Sequence, residues 1–279
     1  MISIVYGLFS ALSWGSGDFF GGLASRKTGP YRAVLYAEAI GLMLLFGAAG
    51  VIGESIPSGQ KLLLAGVGGA VGSIGLLILY QAMTNGQMSI ATPVSALLAA
   101  TLPVVVGTLL EGLPAWTKLA GFVLALLAVW LVAQEHNQKT QLTRLSDLRL
   151  PLLAGLCFGT YFILMHQASN SAIIWPMVAS RTAGMLTLLV FLVLFRHDWR
   201  VSTAKAWPLI IINAILDVGG NVFYILAGQN GRLDVAAMLS SLYPGMTVIL
   251  AWLVLKERLN RVQWLGILAA LAAIALLTV

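Results

Sequence analysis

Four ionisable side chains, Asp18, Glu38, Arg181 and Asp217, stand deep inside stretches of sequence that are otherwise apolar. In hydrocarbon each costs about 2.5–3.5 kcal/mol, so each calls for a partner or a task. Asn213, Asp217, Asn221 and Tyr224 recur at i, i+4, i+8 and i+11, which places them on one helix face. Such a stripe either lines a hydrated cavity, with Asp217 as a cation or proton site, or supplies hydrogen bonds between helices. Asp18 follows Trp14 by one turn, among Gly15, Gly17, Gly21 and Gly22, which allow close helix approach. It reads as a second cavity residue, or as a partner for the basic helix end at Arg26. Trp14 beside it is packing or a platform for substrate. Three internal acids against one internal base leave a negative interior, which favours a cationic or zwitterionic ligand, or protons. An organic phosphate would call for several arginines, and only Arg181 is available.

Glu38 and Arg181 open equivalent motifs, Glu38-x-x-Gly41 and Arg181-x-x-Gly184. They are expected to form a salt bridge with each other, or Arg181 with Asp217, acting as a switch that breaks and reforms or as a static lock. Buried pairs of this kind need not stabilise a fold, because desolvation offsets their attraction. The substrate-facing set is completed by Tyr80, Ser95, Tyr161, Ser240 and Tyr243, with Thr92 and Ser241 as further hydrogen-bonding candidates. Ser and Thr in membrane helices often bond their own backbone, so part of this set is expected to be silent. Pro93, Pro103 and Pro244 remove intrahelical hydrogen bonds and can kink a span beside a cavity. His166 falls near a span end. The single cysteine, Cys157, excludes an internal disulfide and reads as a small packing residue. No metal site or cofactor is expected.

The elements that must position these groups follow from composition. Of 279 residues, 59% are apolar and 9% charged, against roughly 25% charged in soluble domains. The apolar residues form blocks of 18 to 24, at 2–25, 31–52, 61–83, 91–110, 114–134, 150–168, 174–195, 207–228, 235–255 and 262–279. Each is long enough to span a hydrocarbon core of about 30 Å. An all-α membrane protein of ten transmembrane helices is expected, and the first apolar stretch, lacking a basic n-region, is read as staying in the membrane. The net charge of +6 is no nucleic-acid signal, since the basic residues sit in short loops. Glu111 and Glu257, at loop edges, read as capping residues, and Trp116, Trp199, Trp207 and Trp264 as interface anchors.

One long polar stretch, near the middle of the chain, divides two related halves, 1–134 and 150–279, with 135–149 as linker. Asn85-Gly86 matches Asn230-Gly231, Ser95 matches Ser240, and Gly121 matches Gly266, all 145 residues apart. Tyr80 matches Tyr224 and Gly75 matches Gly219 at 144. Five spans per half means the second copy enters from the other side. The result is a pair of inverted five-helix repeats around a central cavity. Twelve Lys and Arg follow the odd-numbered spans and three the even-numbered ones. That bias puts both termini outside.

Several short segments then resemble one family: Trp14-Gly15, Leu79-Tyr80-Gln81-Ala82, Ser240-Ser241-Leu242-Tyr243-Pro244 and Lys256-Glu257-Arg258-Leu259. In their order and spacing the chain resembles the EamA-like ten-helix members of the drug/metabolite transporter superfamily. The resemblance implies alternating access around a central cavity, metabolite export, and proton or exchange coupling. It also implies cytoplasmic termini, opposite to the charge bias. The expected protein is a multi-pass carrier of the plasma (inner) membrane, working as a monomer on a small molecule among membrane lipids, and is not an enzyme.

Three rivals stand beside that reading. Gly15-Ser16-Gly17-Asp18 fits the G-x-G-D of intramembrane aspartyl proteases, with Asp217 as second acid. The order of the two acids and the lack of a Pro-Ala-Leu element argue against it. A lipid or lipid-linked-sugar translocase, or a passive pore, is the nearer alternative. A scaffold subunit without transport is the third.

Overall fold

A computed structural model describes residues 1–82, 88–132, 148–196, 203–256 and 260–278, the side chains of Tyr80 and 88–93 excepted. The helices are α1 (Ile2–Thr28), α2 (Pro30–Ile52), α3 (Gly59–Ala82), α4 (Met88–Glu111), α5 (Trp116–Val132) and α6 (Arg149–Ala168). They continue as α7 (Ile174–Leu194), α8 (Trp207–Gln229), α9 (Leu233–Ser240), α10 (Tyr243–Leu255) and α11 (Arg261–Thr278). Among the described residues, eight helical segments are long and apolar enough to cross a membrane. α5 is apolar but shorter. α1 is long enough, and its serines and glycines make it less apolar. Where α2 begins, Gly29 takes φ 87° and Pro30 supplies the fixed backbone of a first turn.

The ninth apolar block is one crossing in two pieces. Ser241 and Leu242 separate α9 from α10, and Pro244 in the first turn of α10 removes an amide that would have continued the ladder. The pieces differ sharply in setting. All eight residues of α9 are buried, and none of α10 is. The Ser241 hydroxyl donates to the Met238 carbonyl at 2.7 Å, so it bonds its own backbone. Thr247 in α10 donates to the Gly15 carbonyl of α1 at 2.9 Å.

α1 packs along α8 and α3 along α6; α3 also packs on α7, α4 on α6, and α5 on α11. Small residues allow these approaches. A Cβ on Gly220 would meet the Trp14 indole, and one on Gly75 the Cys157 side chain.

One end of the bundle is stitched by polar contacts between helix termini, which lipid would leave unsatisfied. The Glu54 carboxylate, just past α2, accepts the backbone N–H groups of Ile173, Ile174 and Trp175 at 2.7, 2.8 and 3.2 Å. It thereby caps α7, whose own N-cap, Ile173, offers no side-chain acceptor. The negative charge also suits the positive end of the helix dipole. Arg232 donates to the terminal α4 carbonyls Glu111 and Gly112 at 3.2 and 2.7 Å and pairs with fully buried Asp234 at 2.7 Å. Hydrogen bonding to Asp234 raises the Arg232 pKa, holding it charged. Glu111 accepts the Leu233 N–H at 3.1 Å, the capping role its position suggested. Ser3 ties α1 to the Ala227 carbonyl at 2.8 Å, and Lys61 reaches Ser171 at 2.9 Å. Glu54→Ala should cost about 0.5–2 kcal/mol, the range for a lost N-cap, read as a lower melting temperature in detergent. An unchanged melting temperature would mean that water caps α7 equally well.

Candidate functional site

A cavity of about 260 Å³ lies in the middle of the bundle, lined from α1, α2, α3, α4, α6, α7, α8 and the start of α10. At its wall Arg181 bridges two acids. Its Nη1 donates to Glu38 Oε2 at 2.9 Å and its Nη2 to the Asp217 carboxylate. The Arg181 side chain is 8% exposed, against 24% for Glu38 and 35% for Asp217. The guanidinium is sunk while both acids keep contact with the cavity. Gly41, one turn beyond Glu38, leaves the room: a Cβ there would stand 3.0 Å from Arg181 Nη1. Gly184, one turn beyond Arg181, abuts the Ser73 hydroxyl in the same way. The two E/R-x-x-G motifs thus set the charged triad where α2, α7, α3 and α8 converge. Two carboxylates against one guanidinium leave it formally negative by one.

Asp18 lines the same cavity from α1, and its side chain is exposed there although it sits mid-helix. Among the described residues it has no hydrogen-bond or salt-bridge partner. The Trp14 ring, one turn away, lies 5.5 Å from Phe162 and 5.7 Å from Tyr224, with Tyr243 edge-on at 6.5 Å. Tyr161 donates its hydroxyl to Asn221 Oδ1 at 2.6 Å, while Asn221 Nδ2 donates to the Asp217 carbonyl at 2.8 Å.

Of the residues singled out in the sequence, the cavity gathers Trp14, Asp18, Glu38, Tyr161, Arg181, Asp217, Asn221, Ser241 and Tyr243. The eighth-span stripe divides. Asn213 faces Gly17 and Gly21 of α1, where its amide fills the glycine gap. Tyr224 is buried beneath Trp14 and donates to the Phe162 carbonyl at 3.2 Å. Ser95 and Ser240 are buried away from the cavity lining. The side chains of Tyr80 and Thr92, and all of Glu257 and Trp199, lie outside the described residues. His166 packs on Gly228. Residue type alone did not single out Phe158, Phe162, Met177, Ser180 or the Gly69-x-x-Gly72-Ser73 segment of α3, all of which line the cavity. The aromatic spacing along α6, at 158, 161 and 162, was the available signal.

Known proteins place this arrangement. A protein of Methanocaldococcus jannaschii, described as uncharacterized, is 30% identical over 132 residues, covering 47% of this chain and 94% of its own. A Schizosaccharomyces pombe protein described as an uncharacterized solute carrier family 35 member is 36% identical over 89 residues, 32% of this chain and 16% of its own. A crystal structure superposes with a TM-score of 0.84 at 13% identity, covering 99% of this chain and 98% of that one, which speaks to fold alone. The model of the EamA-like transporter family matches residues 1–134 and 148–279. With apolar helices throughout and a charged cavity between them, the chain is a multi-pass membrane transporter that belongs to the EamA-like family of the drug/metabolite transporter superfamily.

Proposed function

We propose that this transporter is a secondary carrier of a small polar solute, cationic or zwitterionic, that works by alternating access in the plasma (inner) membrane as a monomer. The observation that carries the reading is the convergence of Asp18, Glu38 and Asp217 on one mid-bundle cavity with a single sunk arginine among them. Acids turned toward lipid would have no such common space. The carboxylates also suit exchange against protons, which they can hold in place of cargo.

Ten crossings in two inverted repeats supply the machine for it. Exchanging each helix for its mate turns the α1–α8 contact into α6–α3, and α4–α6 into the contacts of α9 and α10 with α1. Gly121 abuts Leu277 of α11, and its repeat mate Gly266 abuts Val132 of α5. The match to a Methanocaldococcus jannaschii protein, nearly all of that chain but half of this one, supports the same duplication. Glu38 and Arg181 then meet close to the pseudo-twofold axis. Arg181, held by acids from α2 and α8, can release one without losing the other, which is the property a switch between two access states needs.

The test is counterflow. In proteoliposomes, internal solute should drive saturable uptake of its labelled copy, and a pH gradient should change the rate. Asp217→Asn should slow exchange at least tenfold. Movement of labelled lipid without solute counterflow would instead establish a lipid translocase, and conductance without counterflow a pore. Equal flux in parent and variant would remove Asp217 from the transport path.

A further inference from the structure

We infer that the cavity selects organic monocations with a compact apolar or aromatic body, and that Asp18 is their counter-ion. This rests on the carrier reading and narrows it to one charge class.

The charges in the cavity are already partly committed. Arg181 is occupied by Glu38 and Asp217 together, and 92% of its side chain is out of reach of solvent, since only 8% is exposed. A substrate carboxylate or phosphate would have to displace one of those acids and leave it unpaired in a low-dielectric wall, where one broken partnership is costly. Among the described residues, nothing else on the lining is a cation. An anionic group therefore finds no uncommitted positive charge on the lining among the described residues, and this holds equally for the carboxylate of a zwitterion.

Asp18 is in the opposite position. It is exposed to the cavity, carries no partner among the described residues, and is the acid not held by Arg181. Entry of an ammonium would satisfy it and leave the triad intact. The walls around it fit the rest of such a ligand. Trp14 one turn away, with Phe162 and Tyr243 against it, offers ring faces and edges to a cation and to a flat hydrocarbon body. Leu76, Ala96 and Met177 complete an apolar floor without donors. Two polar groups that could compete are engaged elsewhere: Tyr161 donates to Asn221, and Ser241 to its own helix. At about 260 Å³ the cavity has room for a small organic body beside the ammonium.

Four compounds that share a phenyl group and differ in charge make the test: phenethylamine, phenylalanine, phenylacetate and 2-phenylethanol. Their affinities for the purified protein would be measured by titration calorimetry and their exchange in proteoliposomes. Phenethylamine should bind at least tenfold more tightly than each of the other three. Asp18→Asn should reduce it to the level of 2-phenylethanol, while Asp18→Glu, which keeps the charge and serves as the folding control, should retain most of the preference. Phenylalanine or phenylacetate binding as tightly as the amine overturns the assignment, as does an amine affinity unchanged in Asp18→Asn. If the amine fails to bind while labelled phenylalanine exchanges, the monocation assignment falls and the carrier reading stands. If the amine binds with the expected dependence on Asp18 but shows no counterflow, the site stands and the carrier reading falls.

Discussion

Arg181→Ala leaves Glu38 and Asp217 in one wall with no counter-charge between them, and the protein loses about 3 kcal/mol of stability, the lower part of the range for breaking a buried pair from one side. The lower part applies because both acids keep some contact with the cavity, at 24% and 35% exposure. Counterflow should disappear in the same variant. Melting in detergent and exchange in proteoliposomes read the two effects separately. The informative companion is the neutral triple variant, Glu38→Gln with Arg181→Met and Asp217→Asn. Replacing a whole buried charge network by neutral groups is often close to neutral for stability, so this variant should melt within about 1 kcal/mol of the parent and still not transport. If it exchanges solute at the parental rate, the triad is only a lock between helices.

The second large effect is expected from one added methyl group. A Cβ on Gly69 of α3 would land on the backbone carbonyl of Ser180 in α7. That is not a side chain that can rotate aside, so the helices must part. Overpacking of this kind costs about 1–3 kcal/mol. Ser180 precedes Arg181, so the displacement also draws the guanidinium away from Glu38, and exchange should fall at least tenfold. Gly66→Ala is the matched control on the same helix, because its added Cβ would sit an ordinary 3.8 Å from the Ala183 methyl. Equal behaviour of the two variants, in melting and in flux, would remove the α3–α7 seam from the mechanism.

Much of this was legible in the residues because hydrocarbon imposes simple rules. Apolar blocks became helices nearly at their expected limits, and the break in the ninth falls two to three residues before the proline that marks it. Glu38 and Arg181 could be paired from their matching glycine motifs, whose function is visible in the space Gly41 leaves for the guanidinium. The eighth-span stripe was only half legible. Periodicity gives the face of a helix but not the neighbour at each level, and α1 closes over Asn213 through Gly17 and Gly21 while Asp217 and Asn221 line the cavity. Phe158 and Phe162 look like any lipid-facing aromatic until the bundle is assembled. Glu54 carried no local signal at all. It stands in a loop, and the amides it caps lie 119 to 121 residues further along the chain.

The ninth crossing has a consequence for how this sequence can drift. Selection acts on one half of it as on a soluble core and on the other as on a half-covered surface. Leu233–Ser240 has no residue free of neighbours, so change there must preserve volume, whereas Tyr243–Leu255 is nowhere fully buried and its exposed end, Trp252 to Leu255, can trade one apolar residue for another. Divergent members of the family should therefore differ unevenly within a single pass, with the boundary falling at Ser241 and Leu242.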